Sequence, residues 1–308
     1  MTHDPKQMAA IRAVIETGSF EAAAARLHVT ASAVSQRVRA LETRLGGPLV
    51  VRTRPCRPTP LGMRVMQHLR RAALLEADFA SDLAGAHEVL LKVAIAVNAD
   101  TLATWFMPAL APLLARDDVV LDVSVDDQDH TYALLASGQA ICCITTQPKP
   151  MRGCVAEPLG AMRYRLVASP AFAARWFPQG LKRDAARQAP VLASTRKDAL
   201  QSRFLQSRFG LPPDAYPCHY VPVPTPRYDA IRAGLGYGMV PELHAREHLA
   251  SGALIDLAPN GAVAVDLYWH AWKVQSPRLD LLTAEIAKLA RTALQTAPKR
   301  TRRGSKTI

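Results

Sequence analysis

A single amphipathic helix near the start of the chain constrains its fold more than any other feature. The segment from residue 30 to residue 45 carries an apolar stripe made of Val34, Val38, Leu41 and Leu45. At about 100° per residue these side chains share one side of a helix and point into a core. The opposite side carries Ser32, Gln36, Arg39 and Thr43. The pattern predicts a helix with a packed inner face and a polar outer face.

The outer face has the chemistry of a helix that contacts DNA. Arginine can bond a guanine edge through two hydrogen bonds, glutamine an adenine edge, and serine a phosphate or a base. An ordinary amphipathic helix would mix glutamate and lysine on this side, whereas Glu42 is the only acid in the segment. With three arginines of the following segment, the predicted DNA-contact residues are Thr30, Ser32, Ser35, Gln36, Arg37, Arg39, Arg52, Arg54 and Arg57.

Capping residues place two shorter helices before this one and a hairpin after it. A first helix ends at Gly18, and Ser19 caps a short alanine-rich second helix. Thr30 caps the third helix after a brief turn. Beyond Gly47 the segment PLVVRTRPCRPTP predicts a short wing whose arginines reach phosphates or a narrow minor groove. Three helices and a basic wing predict a winged helix-turn-helix, mainly α, over residues 1–60.

Positive charge is concentrated in the same region. The 308-residue chain has a formal net charge of +12, and from Arg26 to Arg71 ten arginines accompany one acid. Such a concentration indicates a polyanionic partner, most often nucleic acid, although a solvated basic face would have the same composition. Residues 298–308 form a second basic cluster without apolar periodicity, which predicts a disordered tail that adds nonspecific DNA affinity.

A long helix after the wing predicts self-association. Thr59 and Pro60 have the residue types of a helix N-cap and first helical position. Apolar residues then recur at alternating steps of four and three, with the polar Glu76 among them, as in a short coiled-coil seam. The predicted dimerisation residues are Val65, Leu69, Ala72, Phe79 and Leu83. Residues 61–88 are therefore assigned to a linker that forms a homodimer, the alternative being a helix packed on its own domain.

A dimer of this kind predicts the form of its DNA site. Two copies of the chain would present two DNA-contact helices related by a twofold axis. The expected partner is double-stranded DNA with an interrupted inverted repeat, whose half-sites are spaced by helical turns.

From residue 89 the pattern changes to apolar runs that alternate with helical segments. VLLKVAIAV, TLATWFMPALAPLLAR, VVLDVSV and AICCITT follow the rhythm of an open parallel sheet, and a second set begins near Tyr164. They predict two Rossmann-like α/β lobes within residues 89–297, lobe I at about 89–162 plus 268–297 and lobe II at about 163–267. A ligand of such a fold binds in the cleft outside the carboxyl ends of the strands.

Polar residues at the strand ends predict a small-molecule site in that cleft. At the first strand end, backbone N–H groups and the Thr101 hydroxyl would hold a carboxylate, and Asp100 would hold an ammonium group. The predicted effector-binding residues are Asn98, Asp100, Thr101, Asp127, Thr145, Asp198 and Thr225. Because several are acidic, the site suits a cationic small molecule, although each residue has helix capping as an alternative role.

The sequence contains no arrangement that indicates catalysis or metal binding. It has no G-x-S-x-G, H-E-x-x-H or Walker motif, and GLGYG at 234–238 leads into a strand rather than a helix. The five cysteines form no C-x-x-C pair and indicate reduced thiols. With no signal-peptide pattern and no apolar stretch of about 18 residues, we expect a cytoplasmic protein that contacts no membrane, is not an enzyme and needs no cofactor.

The segment GSFEAAAARLHVTASAVSQRVRALETRLGGPLVVRT resembles the signature of LysR-type transcriptional regulators. AVNADTLATWFMPALAPL, RKDALQ, ASGALIDLAPNG and LYWHAW are similar to the branch that includes ArgP, LysG and IciA. The resemblance implies a homodimer or tetramer with a winged-helix domain, a linker helix and a two-lobed effector domain of the periplasmic-binding-protein type. It also implies lysine or arginine as effector, control of a gene such as a basic amino-acid exporter, and RNA polymerase as a candidate partner.

Carried onto this sequence, the resemblance places the effector beside residues 98–101, with Thr145, Asp198 and Thr225 facing it from other loops. One position departs from the expected lining. VPTPRYDAIRAG contains Arg227 where a smaller polar or acidic side chain is expected. An arginine there would repel a cationic ligand unless it points away from the site.

Other functions are compatible with the same sequence. An architectural DNA-bending protein that needs no effector would explain the basic N-terminal part but leave the second half without a role. A LysR-type regulator could also respond to a different small molecule. A solute-binding or transferase-like α/β protein, with an incidental basic domain, is the third alternative.

Overall fold

The computed structural model describes residues 4–84, 90–115, 119–126, 131–273 and 277–294. Its N-terminal part contains α1 (Pro5–Thr17), α2 (Phe20–Arg26), α3 (Ala31–Leu45), β1 (Val50–Val51), β2 (Arg57–Pro58) and α4 (Pro60–Ala84). The predicted capping residues Ser19 and Thr30 both act as caps, because the Ser19 hydroxyl accepts the N–H of Glu21 and the Thr30 hydroxyl that of Ala33. Gly18 ends α1 with a φ of 71°, in the left-handed region that favours glycine.

The apolar stripe of α3 forms the centre of the winged domain. Val34, Val38 and Leu41 are fully buried and belong to one core with Ile11 and Val14 of α1. Complete burial of such a side chain stabilises a fold by about 1.5–3 kcal/mol relative to exposure. The stripe therefore fixes which side of α3 faces outward.

The lone acid of α3 has a structural role that its place in the sequence does not indicate. Glu42 Oε1 accepts the backbone N–H of Leu49 at 2.8 Å, which ties the end of α3 to the start of the wing. In the wing, β1 and β2 pair antiparallel, with Val50 opposite Pro58. The predicted hairpin is present, and it is fastened to the helix before it.

The predicted seam of α4 divides between two environments. Val65 and Leu69 are half-buried and pack against the core of the winged domain. Ala72 is also half-buried, whereas Phe79 and Leu83 are 65% and 73% exposed. The winged domain of the same chain therefore already covers part of Val65 and Leu69. The distal end of the helix presents the uncovered apolar surface.

The C-terminal part contains the remaining elements. Its strands are β3 (Leu91–Val97), β4 (Val119–Val125), β5 (Cys142–Thr145), β6 (Cys154–Ala168), β7 (Val191–Ala193), β8 (Cys218–Tyr220), β9 (Gly238–Pro241), β10 (Ile255–Asp256) and β11 (Val263–Trp272). Its first helix begins at α5 (Ala99–Thr101) and continues through a π-helical segment (Leu102–Phe106) into α6 (Met107–Leu114). The other helices are α7 (Thr131–Ala136), α8 (Pro170–Trp176), α9 (Arg183–Gln188), α10 (Leu200–Phe209), α11 (Pro224–Arg232), α12 (Glu242–Ala250) and α13 (Pro277–Leu294).

Two long antiparallel strands, β6 and β11, connect the lobes. They lie in a seven-stranded sheet of order β10, β6, β11, β5, β3, β4, with β9 also paired to β6. The predicted parallel pairing holds for β3 with β4 and β5, but β6 and β11 make the sheet mixed. Their register shifts between Leu267 and Tyr268, beside Gly160 with its φ of 127°. Because β5 pairs with the end of β11 and β9 with the end of β6, the two ends of the sheet belong to different lobes.

The cysteines are all free thiols, and Cys142, Cys143 and Cys154 are buried. Burial raises the pKa of Cys154 to about 11, so this thiol is protonated at neutral pH and a poor nucleophile. In the ranges given above, no group of three or more His, Cys, Asp or Glu side chains is placed to hold a metal ion. Nor is any helix of those ranges long and apolar enough to cross a bilayer.

Candidate nucleic-acid interface and ligand cavity

The side chains predicted to contact DNA lie at the surface of the winged domain. The exposed ones are Thr30, Ser32, Gln36, Arg39, Arg52, Arg54 and Arg57, and the half-exposed ones are Ser35 and Arg37. Arg44, also on α3, donates instead from Nη2 to Gln7 Oε1 of α1 at 2.8 Å. The outer face of α3 therefore presents a polar set to solvent, while Arg44 is tied to a neighbouring helix.

One wing arginine has a restrained position. The guanidinium carbon of Arg52 lies 4.9 Å from the centroid of the Phe20 ring. A cation–π contact of this kind is worth about 0.5–1 kcal/mol at an exposed site. Stacking uses the face of the guanidinium and leaves its N–H edges for acceptors such as phosphate oxygens.

A cavity of about 440 Å³ lies between the two lobes. Residues that follow β3 and β4 form one wall, and the loop after β7 together with α11 forms the other. Of the predicted effector residues, Asn98, Asp100 and Asp198 line it. Its size and its position beyond the carboxyl ends of parallel strands are typical of a small-molecule site.

Asp100, predicted to hold a ligand ammonium group, already has partners within the protein. Arg227 Nη2 donates to Asp100 Oδ1 at 2.8 Å, and the Tyr228 hydroxyl donates to the same oxygen at 2.6 Å. The Arg227 and Asp100 side chains are 4% and 16% exposed. Arg227 thus does not point away from the cavity, because it lines the wall and neutralises Asp100. We call this contact the inter-lobe ion pair.

Asp198 has a different environment. Its Oδ1 accepts the backbone N–H of Leu200 at 3.0 Å. Burial raises the pKa of Asp198, and the charge of Asp100 raises it further, although Arg227 and the backbone N–H lower it. A raised pKa means that the ionised carboxylate has less opposite charge around it than its burial requires. A cation in the cavity would supply that charge.

The two other predicted residues at the end of β3, Asn98 and Thr101, are hydrogen-bonded to each other through the Asn98 side chain and the Thr101 backbone. Asn98 Oδ1 accepts the N–H of Thr101 at 2.8 Å, so Asn98 caps α5. One of the N–H groups predicted to hold a carboxylate is therefore already bonded. Thr101 is fully buried beneath the helix start and is not on the cavity wall.

Thr145 and Thr225 are not brought to this cavity. Thr145 is buried in β5, and its hydroxyl accepts the N–H of Gln147 at 3.3 Å. Thr225 is exposed on α11. Both residues were predicted from their position near the end of a strand or helix, and that position does not show where a side chain points. Asp127 lies outside the described residues.

Several residues of the cavity wall, among them Tyr164 and Met239, are not identified by sequence reasoning. Tyr164 is buried in β6, and burial raises the pKa of its hydroxyl, as does the nearby charge of Asp100. The hydroxyl therefore stays protonated and can donate. Nothing in the run RYRLVAS distinguishes this wall position from an ordinary core position.

Comparison with protein families accounts for both parts of the chain. Residues 5–63 match the bacterial regulatory helix-turn-helix protein, lysR family, and residues 90–291 match the LysR substrate binding domain. The chain belongs to the LysR family. The resemblance stated from the sequence is thereby confirmed, as is the combination of a winged-helix domain with a two-lobed α/β domain. The helix-turn-helix match includes α3 and the wing, and the substrate-binding match includes the cavity.

Relatives of this LysR-family chain are similar over almost its whole length. ArgP of Aeromonas salmonicida is 40% identical over 293 residues, which cover 95% of this chain and 98% of that protein. The crystal structure of ArgP from Mycobacterium tuberculosis is 42% identical, with a TM-score of 0.81 over 96% of this chain and 98% of that one. Full-length LysG from Corynebacterium glutamicum, with arginine bound as effector, is 33% identical, with a TM-score of 0.74 over 94% and 98% of the two chains.

Proposed function

We propose that this LysR-family protein is a transcriptional regulator that senses lysine or arginine between its lobes and controls a gene such as a basic amino-acid exporter. The observation that carries the proposal is Asp198, a half-buried carboxylate on the cavity wall. The side chain of a basic amino acid would bring the positive charge that this carboxylate lacks. The relative LysG, with its bound arginine, supports the same class of ligand.

The position of the cavity suggests how an effector would act on DNA. Because the walls come from both lobes, a ligand favours one closure of the lobes over another. Lobe I also contacts α4: the Gln67 side chain donates to the carbonyl oxygen of Ala136, and the Arg71 guanidinium carbon lies 5.2 Å from the Trp272 ring centroid. A movement of lobe I would be passed through these contacts to α4 and re-space the two DNA-binding domains of a dimer.

The domain bounds predicted from the sequence fit this mechanism, and we propose them for the protein. Residues 1–60 would bind DNA, 61–88 would link and dimerise, and 89–297 would bind the effector. The boundary between lobes I and II would lie at the irregular pairing of Leu267 and Tyr268 with β6.

Calorimetry on the full-length protein tests the proposed ligand class. Lysine and arginine should bind at least about 10-fold more tightly than norleucine, which has the lysine carbon chain without its terminal ammonium group. Equal binding of all three would contradict a cation-selective cavity. Operator binding that none of the three alters, together with no heat of binding, would favour the effector-independent architectural protein.

Replacing Arg39 tests whether the outer face of α3 discriminates bases. Footprinting of the protein's own upstream region and of neighbouring transporter genes would first define the operator. Arg39→Ala should weaken operator binding by about 10- to 100-fold and change binding to random DNA much less, because a bidentate base contact is sequence-specific.

The matched control for this prediction is Arg44→Ala. It removes the same charge from the same helix, but Arg44 is bonded to Gln7 of α1. Its loss should lower affinity for both DNAs to a similar, smaller extent through the general electrostatic term. Equal effects of Arg39→Ala on operator and random DNA would contradict base recognition by Arg39.

The distal end of α4 is the proposed dimer contact. Leu75, Phe79 and Leu83 recur at steps of four and are 46%, 65% and 73% exposed, the pattern of an uncovered helix seam. Phe79→Asp should raise the dimer dissociation constant by about 30-fold or more, since it places a charge in the centre of an apolar contact. Ala73→Asp, at an exposed position on another side of α4, should have little effect. Sedimentation velocity measures both, and an unchanged profile for Phe79→Asp would contradict the seam.

A further inference from the structure

The inter-lobe ion pair joins two elements that are far apart in sequence. Asp100 follows β3 in lobe I, and Arg227 lies on α11 in lobe II, 127 residues later. Arg227 Nη1 also donates to the carbonyl oxygen of Val221 at 3.3 Å, and Tyr228 donates to Asp100. Both charged groups face the cavity proposed for the effector. Separation of the lobes at this point would require each charge to find another partner, because an unpaired buried charge is strongly disfavoured.

An α-amino acid carries both of the partners that this separation requires. Its carboxylate is complementary to Arg227 and its ammonium group is complementary to Asp100, and both groups are attached to the same carbon, Cα. Insertion of the ligand would therefore exchange one ion pair for two and leave neither buried charge uncompensated. We propose that Arg227 is the receptor for the α-carboxylate of the effector, and that the inter-lobe ion pair is the contact that the effector opens. This inference rests on the proposed amino-acid sensing.

The alternative carboxylate receptors on the cavity wall are less suitable. The N–H of Thr101 is bonded to Asn98, as described above. Arg196 and Lys197 line the cavity but are exposed, and Arg196 stacks at 4.6 Å on the ring centroid of Tyr220. Hydrated cations at a rim contribute little to affinity. Arg227 is the buried cation among the described wall residues, and its planar fork matches a carboxylate.

The assignment divides recognition of the effector between two carboxylates and one arginine. Arg227 and Asp100 bind the groups common to all α-amino acids, whereas Asp198 selects a cationic side chain. The decarboxylated form of either amino acid can satisfy Asp100 and Asp198, but it leaves Arg227 without a carboxylate when Asp100 turns to the ligand. The cavity should therefore reject cadaverine and agmatine, although they carry the same side-chain cations as lysine and arginine.

Calorimetry with the full-length protein and four ligands tests the role of Arg227. The wild type should bind lysine and arginine about 10- to 100-fold more tightly than cadaverine and agmatine, as expected for a hydrogen-bonded charge pair. Arg227→Gln should lower lysine affinity by a similar factor and change the affinity for cadaverine and agmatine by less than about 3-fold. Arg232→Gln is the matched control, since Arg232 lies on the same helix in an exposed pair with Asp229. It should bind all four ligands as the wild type does.

Arg227→Gln leaves Asp100 without its cation. A second variant therefore controls for misfolding. Asp100→Asn/Arg227→Gln removes both charges of the pair and leaves none uncompensated. Folded protein, verified by operator binding, should still fail to discriminate lysine from cadaverine. Lysine binding equal to the wild type in this variant or in Arg227→Gln would overturn the inference, as would a loss caused by Arg196→Gln instead.

The same measurements, with norleucine as a fifth ligand, separate this inference from the proposed function. If the wild type binds norleucine as well as lysine and Arg227→Gln binds neither, the basic side-chain preference fails and the carboxylate role of Arg227 stands. If the wild type prefers lysine but Arg227→Gln is unchanged, only the inference fails. If the wild type binds no amino acid, both fail.

Discussion

Asp198→Asn should reduce the affinity for lysine and arginine by about 100-fold or more, since removal of one partner from a desolvated charge pair costs about 2–5 kcal/mol. The amide keeps the size of the side chain, so the cavity should keep its shape. Calorimetry on the full-length variant measures the loss. Asp214→Asn, in an exposed turn of lobe II, is the control and should bind as the wild type does.

The same substitution should have the opposite effect on the ligand-free fold. Burial raises the pKa of Asp198, which means that its ionised form is disfavoured in the folded protein at neutral pH. The neutral amide removes that cost, so the melting temperature without ligand should be unchanged or higher. The increase in melting temperature that lysine causes in the wild type should be absent. A lower melting temperature without ligand would indicate that Asp198 is needed for folding rather than for binding.

The pH dependence of binding follows from the same carboxylate. A ligand cation requires ionised Asp198, and the raised pKa brings protonation at a higher pH than its usual 3.8. Affinity for lysine should therefore fall on acidification from neutral pH, earlier than it would for an ordinary aspartate. In Asp198→Asn this part of the pH dependence should disappear.

The fold of the winged domain could be predicted because its signals are local. Ser19 and Thr30 cap helices with their own hydroxyl groups, and the stripe of α3 depends only on helical periodicity. The role of Glu42 was not predictable in the same way. Its partner is the N–H of Leu49 across a turn, and an isolated acid in a basic helix has no sequence pattern that names such a partner.

The location of the cavity could be predicted from the sequence, but the side-chain contacts within it could not. Strand ends indicated the cleft, and Asp100 after β3 and Asp198 after β7 both line it, although the two strands belong to different sheets. Thr145 is not on the cavity wall, because successive side chains of a strand point to opposite faces and a strand end does not reveal which face lines a cleft. Arg227 could be recognised from sequence as an unusual residue. Its pairing with Asp100 depends on how the two lobes meet, which no local pattern encodes.

The first turn of α4 packs closely against the backbone of the wing. The Thr59 hydroxyl accepts the N–H of Gly62 at 3.0 Å, and the N–H of Thr59 donates to the carbonyl oxygen of Leu49 at 3.0 Å. The first turn of α4 thus lies directly on the backbone of the wing. A Cβ atom added to Gly62 would overlap the Leu49 carbonyl oxygen and lie 3.0 Å from its carbon. The obstacle is backbone, which cannot turn aside as a flexible side chain does.

Gly62→Ala should therefore destabilise the winged domain, although alanine favours a helix over glycine by about 1 kcal/mol. Overpacking against a fixed group costs about 3 kcal/mol, so the steric term outweighs helix propensity. For a domain of this size the melting temperature should fall by about 10 °C or more, and operator binding should fall with it. Gly47→Ala, whose Cβ would lie 3.4 Å from Leu61 Cδ2 in ordinary contact, is the control at the same junction. Scanning calorimetry measures both variants, and a Gly62→Ala transition at or above that of the wild type would show that α4 does not pack this closely on the wing.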